Sequence, residues 1–246
     1  MLQLLCKGFR RSKSVTDRYG SHSETDDLES LIANRQWHHL LARIVAATAT
    51  NGPAGNSTLK NDIQMLMDLD YSGENVLHRV CRYHPTPEIV ELIIQELPTA
   101  IYQTNSQGQY PIHCATEWGA CPTVIRILSD TCSHALENQD YLGRTPLHLA
   151  CNDYCDNYKY TPGAVAVVQI REAVAQTIQM LATKCPNVSN LEDNEEITAL
   201  EYAVLNAAMV DLDTIQCIQR ASCQTWKQTQ ATSRRASTPF LKGPCH

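Results

Sequence analysis

The glycines Gly73, Gly108 and Gly143 stand 35 residues apart, and each opens a similar nine-residue segment. The segments read Gly73-Glu-Asn-Val-Leu-His-Arg-Val-Cys81, Gly108-Gln-Tyr-Pro-Ile-His-Cys-Ala-Thr116 and Gly143-Arg-Thr-Pro-Leu-His-Leu-Ala-Cys151. A fourth, weaker copy is Glu196-Ile-Thr-Ala-Leu-Glu-Tyr-Ala203, displaced by an insertion of 18 residues beyond the same period. The flanks keep the register: Asp70, Asn105, Asp140 and Asp193 stand three positions before each segment, and Pro98, Ser133 and Pro186 ten positions before the last three. A period of this length constrains the fold strongly. One unit cannot bury its apolar face alone, so neighbouring units must stack to make a continuous core.

Each recurring residue has a physical task. Asp or Asn followed three residues later by Gly is turn chemistry, since the short polar side chain bonds its own backbone and Gly takes positive φ. Pro111 and Pro146 suit the first position of a helix, and Thr145 suits its N-cap. Leu77, Ile112, Leu147 and Leu200 form an apolar stripe with Val80, Ala115, Ala150 and Ala203, whose small size lets helices approach. A second helix is expected after each first one: 87–94, 122–128, 172–181 and about 210–218.

The period and the sequence Gly143-Arg-Thr-Pro-Leu-His-Leu-Ala150 resemble the ankyrin repeat family. The resemblance implies an all-α solenoid of stacked helix-turn-helix units with short β-hairpin fingers. It also implies structural roles for His78, His113 and His148, bonded to loop backbone and to the Thr of the motif; where Asn75 and Tyr110 replace that Thr, the finger is expected to be looser. The repeat domain is expected over 23–225, with a degenerate N-terminal cap at 24–50 and units centred on 73–97, 108–132, 143–185 and 196–222. The insertion, about 152–171, is Tyr-rich and reads either as a binding loop or as a lengthened helix pair.

Charge divides the 246-residue chain in the same way. Residues 1–20 carry a net +4 and residues 224–246 another +4, so with an overall charge of −6 the middle carries −14. An acidic body does not suit non-specific binding to a phosphate backbone, and no nucleic-acid partner is expected. The ends, 1–22 and 226–246, read as disordered basic tails. A transit peptide is the alternative for the basic, acid-free first sixteen residues, and the N-terminus lacks the order of charge and apolar stretch that a secretory signal needs. No run of about 18 apolar residues occurs, so no membrane span is expected. The richest stretch, 40–49, is short and contains Arg43. The 11 cysteines include no Cys-x-x-Cys pair. Free thiols and a cytoplasmic or nuclear location are expected.

The sequence carries no phosphate-binding glycine loop, no His-Glu-x-x-His and no Gly-x-Ser-x-Gly. The three repeated histidines fall one per unit, and metal sites need convergent ligands. No enzyme activity, no cofactor and no metal are therefore expected. What remains is recognition: a non-catalytic scaffold or adaptor, monomeric, that binds another protein.

The resemblance places the binding positions at the finger tips and on the free face of the first helices. These are Tyr71, Gln107 and Tyr141 before the glycines, Glu74 and Arg144 after them, and Arg79, Arg82, Tyr83, Glu117, Trp118 and Asn152 on the helices. Aromatic residues and Arg are the usual anchors of interfaces. The alternative is a phosphorylation-regulated signalling inhibitor, or a targeting subunit of a larger enzyme complex. Its candidate is Ser237, preceded by Arg234-Arg235 in the pattern read by basophilic kinases.

Overall fold

In the computed structural model the described residues are 30–40, 42, 44, 72–158, 167–207 and 210–236. They form an all-α repeat solenoid. First helices are α1 (Val76–Arg82), α3 (Pro111–Glu117), α5 (Pro146–Tyr158) and α7 (Ala199–Leu205). Second helices are α2 (Pro87–Glu96), α4 (Pro122–Thr131), α6 (Val167–Lys184) and α8 (Leu212–Ala236). The first helices pack in one row, α1 on α3 on α5 on α7, and the second helices in a parallel row, α2 on α4 on α6 on α8.

Local chemistry sets where the helices begin. Proline occupies the first position of α2, α3, α4 and α5, where its missing N–H leaves nothing unsatisfied. Asn75 caps α1 by accepting from the N–H groups of Leu77 and His78. Thr198 and Glu201 cap α7 reciprocally: the Thr hydroxyl accepts from Glu201 N–H, and the Glu carboxylate accepts from Thr198 N–H. The second helices end alike. Leu97, Cys132 and Cys185 adopt φ near −130° with ψ of 64°, 70° and 72°, and each leads into a short 3-10 helix.

The core lies between the two rows. Leu77, Ile112 and Leu147 are buried from the first helices, and Ile93, Leu128 and Leu181 face them from the second. Val80, Ala115, Ala150 and Ala203 are fully buried at the contacts between successive first helices. At the N-terminal end the chain is helical at 30–33 and 37–40, with Arg35 at φ 55° between them. Ile32, Leu40 and Ile44 from this segment are fully buried.

Two features depart from the reading of the sequence, and a third matches one of its alternatives. First, two-stranded fingers do not form among the described residues, where the single bridge pairs Glu192 with Thr198. The second, third and fourth fingers are tight turns, each closed by two backbone bonds, such as Asn105 N–H to Gln109 O at 2.9 Å and Gly108 N–H to Asn105 O at 3.0 Å. The next groups bond to the neighbouring finger instead: Ser106 N–H to Ser72 O, Tyr141 N–H to Gln107 O and Asn194 N–H to Leu142 O, at 2.9, 2.9 and 3.0 Å. Second, α8 runs to Ala236, so the boundary of the expected tail at 226 falls inside a helix. No Pro or Gly interrupts 212–236, and the first proline after it is Pro239. Third, the insertion lengthens a helix pair. In the first two units the turn after the inner helix places His84 and Gly119 at φ 54° and 70°. The equivalent residue in the third unit, Tyr154, stays helical, and α5 and α6 reach 13 and 18 residues where α3 and α4 have 7 and 10. Residues 159–166 of the insertion lie outside the described residues.

The finger glycines have a second constraint besides φ. A Cβ on Gly73 would stand 2.8 Å from Ser106 N, and one on Gly143 would stand 2.7 Å from Asn194 N. Both glycines are at positive φ, 69° and 77°. The fourth copy has Glu196 at φ 61°, and it is exposed. Gly143→Ala is expected to lower the unfolding free energy by roughly 2–4 kcal/mol, because it adds left-handed strain and a clash with backbone. Glu196→Gly is expected to raise it by up to about 1 kcal/mol, since only the backbone strain is relieved. Urea denaturation of both variants checks this; equal effects of one sign would refute the role given to finger stacking.

Candidate protein-binding face

The repeated histidines hold the candidate face in shape. His148 Nδ1 accepts from the N–H of Thr145 at 3.2 Å and lies 2.8 Å from its hydroxyl; Nε2 donates to the Leu191 carbonyl of the next unit at 3.0 Å. His113 Nδ1 accepts from Tyr110 N–H at 3.2 Å, and Nε2 donates to the Asn138 carbonyl at 3.1 Å. The His78 ring nitrogens lie 2.9 Å from Asn75 Oδ1 and from the Gln109 carbonyl oxygen. Asn75 stands in place of that Thr and donates to the Ala100 carbonyl and to Gln103 Oε1, both at 2.8 Å. The tip of that finger, with Asp70 and Tyr71, lies outside the described residues.

The finger tips are fixed by their own acids and amides. Asp140 Oδ1 accepts from the N–H groups of Leu142 and Arg144, at 2.9 and 2.8 Å. Asn105 does the same for Gln107 and Gln109, and Asp193 for Glu195 and Ile197. Burial alone would raise the Asp193 carboxyl, but the Tyr202 hydroxyl, donating at 2.7 Å, and these two amides hold it below its ordinary value.

On this scaffold the expected binding residues are largely tied to one another. Arg82 pairs with Glu74, and its guanidinium lies over the Trp118 ring, 5.2 Å from the centroid. Glu74 is only 2% exposed, so it is a buried support for Arg82 and not a surface contact. Arg144 donates through Nε and Nη2 to Asp140 Oδ2, at 3.1 and 2.9 Å. Gln109 links the units, donating to Glu117 Oε2 at 3.2 Å and to Asp140 Oδ2 at 3.3 Å. Tyr83 is half-buried and packs on the core. Arg79 and Asn152 are half-buried. Gln107, Trp118 and Tyr141 are exposed, Tyr141 at 72%. Tyr71 and Ser237 lie outside the described residues.

Leu142, Gln109 and Asp140 were missing from the expected set. Leu142 sits beside Tyr141 at the tip and is half-exposed, at 51%. Gln109 was legible in principle, because it holds the position after glycine that Glu74 and Arg144 hold in their units. Among the described residues no three His, Cys, Asp or Glu side chains converge to hold a metal, and no helix is long and apolar enough to cross a membrane. Cys81, Cys114 and Cys151 are buried free thiols. Burial, with Glu74 nearby, pushes the Cys81 and Cys114 thiols up, away from the reactive thiolate.

The fold and this face define a class: a solenoid of helix-turn-helix units that presents fixed finger tips beside a row of short helices. Residues 77–160 match the family "Ankyrin repeats (3 copies)", and this part of the chain carries ankyrin repeats. Over 91 residues it is 31% identical to transient receptor potential cation channel subfamily A member 1 of Homo sapiens. That alignment covers 37% of this chain, and the chain spans 8% of the relative's length. Ankyrin repeats generally mediate protein–protein interaction and are typically non-catalytic.

The histidine bridges make stability depend on pH. Burial pulls the His113 imidazole down to about 4, against the opposing pull of its bond to the Asn138 carbonyl. Burial likewise lowers His148. A histidine lowered on folding stabilises fully above its unfolded value of about 6.5. That contribution is lost as the pH falls toward the folded value, because the unfolded chain then binds more protons. Between pH 7 and pH 4.5 the chain is expected to lose about 2–3 kcal/mol through His113 alone. Urea unfolding at the two pH values measures this, and a flat profile would contradict the neutral bridging role.

Proposed function

We propose that the chain is a non-catalytic adaptor that binds another protein through the finger tips and the first-helix face, centred between the second and third units. The observation that carries this reading is Tyr141. Its ring is exposed, yet its backbone is bonded to the preceding finger, and its ring lies against Gly108, where a Cβ would stand 2.8 Å from ring carbons. An exposed aromatic held this firmly loses little freedom on binding, which is what distinguishes an anchor from a loose surface residue. Leu142 adds apolar surface beside it, and Gln107 flanks it on the neighbouring finger. The contacts among Arg82, Trp118, Glu117, Gln109, Asp140 and Arg144 keep this surface in one shape before a partner arrives.

A regulated form of the same role would use Ser237. Arg234 and Arg235 fall in the last turn of α8 just before it. A phosphate there would add about −1.5 to −2 charges to a segment that carries only bases.

A pull-down from native extract, with captured proteins identified by mass spectrometry, supplies the partner. Tyr141→Ala is then expected to weaken binding by roughly 2 kcal/mol or more, with the unfolding midpoint nearly unchanged. Arg144→Ala is the wrong companion variant, because it strips a buried carboxylate of its ion pair and destabilises the finger. Unaltered affinity in Tyr141→Ala would place the partner elsewhere on the array.

A further inference from the structure

Charge changes along the row of fingers. The second finger, 103–110, has no charged residue. The third has one acid and one base, Asp140 and Arg144, and they pair with each other. The fourth has Glu192, Asp193, Glu195 and Glu196 and no base. The imbalance runs on past the finger. Residues 185–219 contain seven acids and no Lys, Arg or His, so this stretch holds half of the −14 of the body. Glu192, Glu195, Glu196 and Glu201 are exposed, and among the described residues no base pairs with any of them. Lys184, the last base before the stretch, is held by Asp130.

The acidic finger adjoins the exposed apolar pair on the third. Asn194 donates through its N–H to the Leu142 carbonyl at 3.0 Å and through Nδ2 to the Tyr141 carbonyl at 2.9 Å. Glu195 and Glu196 follow Asn194 directly in the chain. Burial, then the bond to Asp193, then the nearby Glu195 carboxylate push the Tyr202 phenol of α7 up, so Glu195 lies on the first-helix side of its finger. Among the described residues no three such side chains converge as metal ligands do. The acids are spread over the finger and the start of α7, where each can meet a different base.

We propose that this face recognises a short basic segment of another protein. One large apolar side chain sits on Tyr141 and Leu142, and two or more Lys or Arg on one side of it meet Glu195, Glu196 and Glu201. The proposal rests on the anchor role given to Tyr141 above and adds the chemistry of the partner. An extended chain covers about 13 Å in four residues, enough to pass from one finger to the next, whose backbones are in hydrogen-bond contact. The bases fall on the side of the fourth finger, because the second finger offers them no carboxylate. The anchor on the third finger supplies most of the affinity. The exposed carboxylates, screened beyond about 10 Å at 0.1 M salt, supply orientation and a faster association. An acidic segment or a phosphate backbone is repelled by the same residues.

A library of random twelve-residue peptides displayed on phage, selected on the full chain, tests the proposal. The enriched sequences are expected to carry one large apolar residue with two or more Lys or Arg within about four residues on one side of it. Fluorescence anisotropy then follows one enriched peptide. Tyr141→Ala is expected to weaken it by roughly thirtyfold. Glu195→Gln with Glu196→Gln, at exposed and unpaired positions, is expected to weaken it by roughly fivefold or more at low salt, with the difference lost at high salt and the circular dichroism unchanged. A twelve-residue oligolysine is expected to bind far more weakly and to be indifferent to Tyr141→Ala. Enriched peptides that need Tyr141 but lack bases, or ignore the glutamine variants, would overturn the proposal and leave the anchor reading standing. Peptides that need the glutamates but not Tyr141 would overturn the anchor reading, and the proposal with it. Oligolysine binding as tightly as the enriched peptide would reduce the face to a general attraction for polycations and overturn the proposal. So would a selection that enriches nothing. Displacement of the peptide by a synthetic 1–20 segment at equal concentration would put the chain's own basic end on this face instead of a partner.

Discussion

In each of the first three units one imidazole, held between the cap of its own helix and a carbonyl of the next unit, sets the spacing on which the other features depend. In His113 and His148 the bridge uses both ring nitrogens, one accepting and one donating, so the ring is buried without leaving a polar atom unsatisfied. It brings successive fingers within hydrogen-bonding distance, and that closeness is what excludes a Cβ at Gly73 and Gly143. It also fixes the distance between first helices, which the small Ala115 and Ala150 fill without a void. Losing the ring would orphan a buried carbonyl in one unit and an N-terminal N–H in its neighbour, so damage at one position would cross a repeat boundary.

The period, the turns and the start of each helix were legible in the sequence because they are local. Asn105 or Asp140 with its glycine, Pro111 or Pro146 at a helix start and the alternation of Leu with Ala each act within a few residues. The chemistry of the binding face was less legible, because it is made between units. Glu74, Gln109 and Arg144 hold one repeat position with three different charges. Their partners are Arg82, eight residues away, Asp140, 31 residues away, and Asp140 again, four residues away. No single-unit pattern shows that an acid is buried in one copy and a base is clamped in another. The reach of α8 was misjudged for a related reason: residues 226–236 have little apolar periodicity, yet they contain no helix breaker and continue a helix whose earlier turns are anchored by Thr214, Ile218 and Ala221.

Stability in such an array is a sum over neighbours, so a unit with two bonded neighbours is more rigid than one with a single neighbour. The finger of Gln107 is bonded on one side through Ser106 to Ser72 and on the other to Tyr141. The finger of Tyr141 and Leu142 is bonded to Gln107 and to Asn194. Both therefore have two neighbours, and both carry exposed side chains suited to recognition. Among the described residues the finger of Glu195 and Glu196 is bonded to a neighbour on one side only, and Glu196 holds a positive φ of 61°. Rigid anchors lose less freedom on binding, which favours a partner centred on the second and third fingers over one centred on the acidic fourth.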